Sequence, residues 1–197
     1  HQRILVSDLS GKSNVLQKAK ESGIDIDDKD PKVAKILNSL KESENLGFQY
    51  EGAEASFELM MRDALGQKEI FFEFIGFRVI VEKRKEDEGS ISEATVKLSV
   101  NGVQEVSVAE SSGPINALDM AIKKALVKFY PELEEVNLYD YKVRILDEQK
   151  GTRAKTRVLV ESGDHKSKWG TVGVSENIIE ASWQALIESI DYKLNQK

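Results

Sequence analysis

The spacing of hydrophobic positions along this chain changes once, near Gly66. Before that point apolar residues recur at helical intervals. Val15, Leu16 and Ala19 share one face of a segment that Ser10-Gly11 can cap and that ends before Gly23. Asp30-Pro31 predicts the next helix start, with aspartate as N-cap and proline at the first helical position. From there Val33, Ile36, Leu37 and Leu40 keep the helical period, and Gly47 closes the segment. A third helix is predicted from Gly52 to Leu65, its apolar face built from Ala53, Phe57, Met60, Met61 and Ala64. Three short amphipathic helices without strands make a thin arm, which buries little alone and needs a neighbour to lie on.

After Gly66 the period falls to two. Phe77, Val79 and Val81 alternate with polar residues, as do Val96, Leu98 and Val100, then Val106 and Val108. Asn101-Gly102 predicts a type I′ hairpin, because both central positions of that turn need positive φ. Gly113-Pro114 then opens a helix carrying Ala117, Leu118, Ala121, Ile122, Ala125 and Leu126, which Pro131 stops. The same order follows again. Tyr141, Val143 and Ile145 alternate, then Val158 and Val160, then Val172 and Val174, before a helix with Ile178, Ala181, Ala185, Leu186 and Ile190. Phe77 and Tyr141 lie 64 residues apart, as do Val108 and Val172, Ser111 and Ser175, Ala117 and Ala181, and Ala121 and Ala185; Val96 and Val158 lie 62 apart.

So constant an offset through four elements indicates an internal duplication. The predicted fold is α+β: a helical arm over residues 1–69, then a domain over 70–197 made of two βββα repeats, about 70–131 and 136–194, in a pseudo-twofold arrangement.

Composition narrows the function. The net charge is −6, with 34 acidic and 28 basic residues interspersed, which argues against nucleic acid or an anionic membrane as partner. The one basic cluster, Lys83-Arg84-Lys85, runs straight into Glu86-Asp87-Glu88 and reads as a solvated hairpin tip. No apolar run approaches the ~18 residues of a membrane span. Cysteine is absent, consistent with a cytoplasmic protein.

Catalytic and metal-binding patterns are missing. The two histidines, His1 and His165, have no partner at ligand spacing, and no nucleophile elbow, P-loop or dinucleotide fingerprint is present. No catalytic residue, metal ligand or cofactor is assigned to this chain. The small-residue turns before the two late helices carry more information. Ser111-Ser112-Gly113-Pro114-Ile115-Asn116-Ala117 and Gly173-Val174-Ser175-Glu176-Asn177 each place backbone N–H groups at a helix start, where a carboxylate can be held. They read equally as plain N-caps. Asp140, at the start of a strand, is the one acid that looks placed; a turn acceptor is the alternative.

These same residues resemble a known family. Ser112-Gly113-Pro114-Ile115-Asn116-Ala117, Asp140-Tyr141-Lys142-Val143 and Gly173-Val174-Ser175-Glu176-Asn177-Ile178-Ile179-Glu180-Ala181-Ser182 are similar to the C-terminal regulatory domain of the α-isopropylmalate synthase and citramalate synthase family. Leu9-Ser10-Gly11-Lys12-Ser13-Asn14 and Tyr50-Glu51-Gly52-Ala53-Glu54-Ala55-Ser56-Phe57-Glu58-Leu59 resemble the citramalate synthase branch most. The resemblance implies a feedback module: a catalytic (β/α)8 barrel, holding a divalent metal, joins acetyl-CoA to a 2-oxo acid, and a dimeric domain behind a helical linker binds the end-product amino acid. The barrel's His-x-His pair is absent here, so this chain is expected to regulate rather than catalyse.

Carried over residue by residue, the resemblance implies an effector pocket at a homodimer contact. It would use Ser111, Gly113, Pro114, Asn116 and Ala117, with Asp140, Tyr141, Ile145, Thr152 and Ile178. The implied ligand is a branched-chain amino acid, isoleucine before leucine. Ser111 and Asn116 depart from the family's commonest residues, which bears on the ligand's identity. A dimerisation module without a small-molecule ligand is the competing reading.

Overall fold

The structure is a computed structural model that describes residues 11–146 and 154–196. Three helices come first: α1 (Lys12–Glu21), α2 (Lys32–Leu46) and α3 (Glu54–Ala64). β1 (Glu73–Glu82), β2 (Ile91–Val100), β3 (Val103–Ser111) and α4 (Pro114–Leu126) follow, then β4 (Asn137–Ile145), β5 (Thr156–Gly163), β6 (Lys168–Ser175) and α5 (Ile178–Asn195). The fold is therefore α+β with a repeated βββα order. Ser10 of the proposed first cap lies outside the described residues. The second helix starts one residue later than its Asp-Pro pair predicts. Pro31 stands at the N-cap position, and Asp30 Oδ1 still accepts the Lys32 N–H at 2.9 Å.

Each repeat is a three-stranded antiparallel sheet in sequential order, β1-β2-β3 and β4-β5-β6. Asn101 and Gly102 have φ of 50° and 79°, the left-handed pair that the Asn-Gly turn predicts. The duplication extends to irregularities. A register shift between Phe74 and Gly76 in β1 recurs between Leu138 and Asp140 in β4, 64 residues on. Ser107 Oγ donates to the Ala121 carbonyl at 2.5 Å, and Thr171 Oγ1, 64 residues later, donates to the Ala185 carbonyl at 2.7 Å.

Those two hydroxyl bonds reveal a difference from the simple alternating pattern. On β3 the residues turned toward α4 are Ser107 and Ala109, both buried, while Val106 and Val108 are exposed on the other face. On β6 the inward positions are Thr171 and Gly173, and a Cβ on Gly173 would lie 1.9 Å from the Ala181 carbonyl oxygen. Helix and third strand approach too closely for valine between them. Alternation marks two faces but does not say which one meets the helix.

The chain divides into two compact units, one over Ile70–Val136 and one joining the rest. The 70–136 unit buries Val96, Leu98, Leu118, Ile122, Leu126 and Leu133 between its sheet and α4. In the other unit the arm lies on the outer face of the second sheet. Val15, Ala19, Ile36, Leu40, Phe57 and Met61 form one core with Val172 of β6, and Leu159 of β5 packs against it. Tyr50 meets the Phe57 ring edge-on at 5.5 Å between centroids. Arg157 of β5 fastens the contact, donating Nε to the Gly47 carbonyl at 2.8 Å and a terminal nitrogen to Gln49 Oε1 at 2.7 Å.

The close strand–helix approach sets a measurable expectation. Gly173→Ala should cost about 3 kcal/mol or more in urea unfolding, since backbone must move to admit the methyl group. Gly76→Ala, where no atom lies within 4 Å of an added Cβ, should change stability by less than about 1 kcal/mol.

Candidate functional site

The two helix-start loops share a layout but not a capping scheme. In the first, Gly113 holds the N-cap of α4 in extended backbone and no side chain caps the helix. Asn116 reaches back and donates Nδ2 to Ser111 Oγ at 2.7 Å. In the second, Asn177 Oδ1 accepts the Ile179 and Glu180 N–H groups at 2.9 and 3.3 Å. Ser175 Oγ accepts the Asn177 N–H at 3.1 Å and donates to the Glu180 carboxylate at 3.0 Å. The pairs Ser111/Asn116 and Ser175/Glu180 occupy equivalent positions. The expectation that both loops offer backbone N–H groups outward is corrected here. The first turn of α5 is satisfied by its own Asn177, and only the α4 start lacks a side-chain acceptor. Ala117, one of the residues the resemblance implies for the pocket, is fully buried in the core of its unit.

On β4, successive side chains point to opposite faces of the sheet. Tyr141 and Val143 pair with Val160 and Val158 and share a face with Ile145. The Tyr141 hydroxyl lies 2.8 Å from Ser182 Oγ. Ser182 gives its own proton to the Ile178 carbonyl at 2.7 Å, so Tyr141 is the donor in that pair. Val143 and Ile145 on β4, and Ile178 in the first turn of α5, remain exposed, 42%, 54% and 42%. The result is an apolar lip with one hydrogen-bonded phenol at its base.

Asp140 does not belong to this lip. It points to the opposite face, where Oδ1 accepts the Tyr141 N–H at 2.9 Å and Oδ2 pairs with Lys142 at 2.8 Å. The hydrogen bond from Lys142 holds its carboxyl below the usual aspartate range. The resemblance groups Asp140 with Tyr141, but neighbouring strand residues face opposite sides of the sheet, and the Asp140 bond to the Tyr141 N–H fits the turn-acceptor alternative.

Ser111, Gly113, Pro114, Asn116 and Ala117 fall in the 70–136 unit, and Asp140, Tyr141, Ile145 and Ile178 in the other. Thr152 lies outside the described residues. The pattern of the sequence alone did not single out Val143 and Ser182. Both had a legible signal: Val143 sits between two assigned residues on the same strand face, and Ser182 follows Ile178 by one helical turn. Among the described residues no three His, Cys, Asp or Glu side chains group as metal ligands, and no helix is long and apolar enough to cross a membrane.

Residues 51–194 match the LeuA allosteric (dimerisation) domain. Over 194 residues, 98% of the chain, the sequence is 59% identical to the (R)-citramalate synthase of Geobacter sulfurreducens. It is 54% identical over 192 residues to that of Aquifex aeolicus and 50% over 195 residues to that of Synechocystis, again over 98% of the chain in each case. The chain spans 37%, 36% and 36% of these relatives' lengths.

The unequal capping can be tested on the folded chain. Asn177→Ala should lower unfolding free energy by about 1 kcal/mol, the usual loss of an N-cap. Gly113→Ala, with open space around the added methyl and no side-chain cap to lose, should change it by only a few tenths of a kcal/mol.

Proposed function

The chain belongs to the LeuA allosteric (dimerisation) domain family, and from that premise we propose that it is the feedback-regulatory portion of a citramalate synthase. Its ligand is a branched-chain amino acid, bound at a homodimer contact, that inhibits condensation of acetyl-CoA with a 2-oxo acid. Catalysis, and the divalent metal it needs, are assigned to the part of such enzymes' length that this chain does not span. The observation that carries the reading is the lip of Tyr141, Val143, Ile145 and Ile178. Aliphatic side chains left open around a helix start, with a fixed phenol below them, suit an aliphatic amino-acid side chain or a partner protomer. Separately, within the 70–136 unit, the start of α4 has no side-chain cap, which leaves N–H groups for a carboxylate. Isoleucine is preferred over leucine because the likeness to citramalate synthases runs through the arm as well as the repeats.

A second reading, dimerisation without a small molecule, has its own support. Asn177 already satisfies the start of α5, and Asp140 is already paired with Lys142. Calorimetry with isoleucine, leucine and valine separates the two. The effector reading expects saturable millimolar or tighter binding, strongest for isoleucine; no heat from any of the three defeats it. Gly113→Asp should stay folded, since aspartate is a good N-cap and space is open there, yet lose the ligand because its carboxylate takes the ligand's place. Ile145→Glu should shift sedimentation toward the monomer on either reading, because a charge on the lip opposes its burial.

A further inference from the structure

Arg144 of β4 and Arg157 of β5 are direct partners across the second sheet. Side chains so placed stand about 5 Å apart at their Cβ atoms, and like charges there are destabilising. The repeat itself does not require such a pair: 64 residues earlier the same two positions are Ile80 and Glu93. Nor is the chain short of acids, with 34 against 28 bases. Yet neither arginine has a carboxylate partner among the described residues.

Arg157 is fixed by neutral acceptors. Its Nε and one terminal nitrogen serve the Gly47 carbonyl and Gln49 Oε1, at the C-terminal end of α2. The other terminal nitrogen has no acceptor among the described residues. Arg144, exposed on the edge strand, has no hydrogen bond or ion pair there. Its charge and, before it, burial hold the Arg157 guanidinium below the usual arginine range.

The two arginines line a hollow of about 300 Å³, with Gln49, Glu51, Lys142 and Leu159 among its other walls. That volume is at the small end of ligand pockets, which run from about 300 to 1,000 Å³. Lys142 is paired with Asp140, and exposed Glu51 takes its hydrogen bond from Gln49 Nε2 at 3.4 Å. The two guanidinium groups are left facing the hollow's open space.

We propose that Arg144 and Arg157 form a binding site for a small doubly charged oxyanion, a phosphate or a dicarboxylate, held between β4 and the arm's α2–α3 connection.

Each guanidinium offers a planar fork of N–H donors to a pair of oxygens, and two negative charges remove the repulsion between the forks. Leu159 gives the ligand's uncharged part an aliphatic wall. The site is distinct from the lip, because Arg144 alternates along β4 with Val143 and Ile145 and faces the other side of the sheet. An anion on Arg157 also steadies the side chain that fastens Gly47 and Gln49 to the second repeat.

Calorimetry of the whole chain with inorganic phosphate in one arm and succinate in the other tests the site. Sodium chloride keeps the ionic strength constant, so that general screening is common to both. Saturable binding of at least one anion is expected, and the stronger of the two names the ligand class. Arg144→Gln should weaken that binding at least about tenfold, the loss of one charge-assisted contact. The variant should keep the wild-type unfolding midpoint, because Arg144 has no partner in the fold. Failure of both anions to saturate, equal affinity in Arg144→Gln, or an equal loss in Arg84→Gln, a substitution on the first repeat's hairpin, overturns the proposal. In the wild type alone, the Nε–H signals of Arg144 and Arg157 in nitrogen-15 spectra should shift together as the anion is added, and signals that stay in place overturn it likewise.

Discussion

A hydroxyl on the third strand of each sheet, bonded to a carbonyl in the middle of the following helix, sets the geometry of both repeats. Ser107 and Thr171 make this bond to Ala121 and Ala185. It brings strand and helix so close that only small side chains fit between them, as the position of Gly173 against the Ala181 carbonyl makes plain. Val106 and Val108 of β3 and Val172 and Val174 of β6 are thereby turned to the opposite face. Each sheet consequently has apolar side chains on its outer surface, where a sheet packed on one side would ordinarily be polar. A face of that kind needs a cover.

The two repeats meet that need differently. In the second, Leu159 and Val172 are covered by the arm, and the arm in turn gains the surface that three short helices cannot supply for themselves. In the first, Thr95 stands opposite Val108 where Leu159 stands opposite Val172, and Val106 and Val108 stay exposed. Divergence at a few positions thus assigns the arm to one copy. Exchange of Lys124 for Glu188, 64 residues on, belongs to the same divergence, because the Ser56 hydroxyl of the arm gives its proton to the Glu188 carboxyl and could not give it to an ammonium. Apolar residues left open on β1, β3 and β4 agree with membership of a dimerisation-domain family, where a second copy is the natural cover.

The candidate site was legible in part. Tyr141, Ile145 and Ile178 came from the family resemblance; in the structure the Tyr141 hydroxyl meets Ser182 of α5, while Ile145 and Ile178 stay exposed. Asp140 could not be judged the same way. Its neighbour Tyr141 makes it look like part of one pocket, but the two face opposite ways, and Lys142 claims the carboxylate. The two small-residue loops also look alike in sequence. Their difference lies in whether residue 113 or 177 carries a side chain that can fold back on the helix, and glycine carries none. Half-buried Glu188 gave no signal at all, since a glutamate on an amphipathic helix ordinarily faces water.

By itself the sequence determined the order of the elements, the duplication and its offset, and the Asn101-Gly102 hairpin. Each depends on local periodicity or on the backbone preference of one or two residues. Tertiary structure alone decided which face of each sheet meets its helix, where the arm lies, and which polar groups end up partnered. The sheet face depends on a hydroxyl bond to the following helix, and the arm's position on segments more than a hundred residues apart, such as Ser56 and Val172. Hydrophobic spacing says that a surface will be buried; only the packed chain says against what.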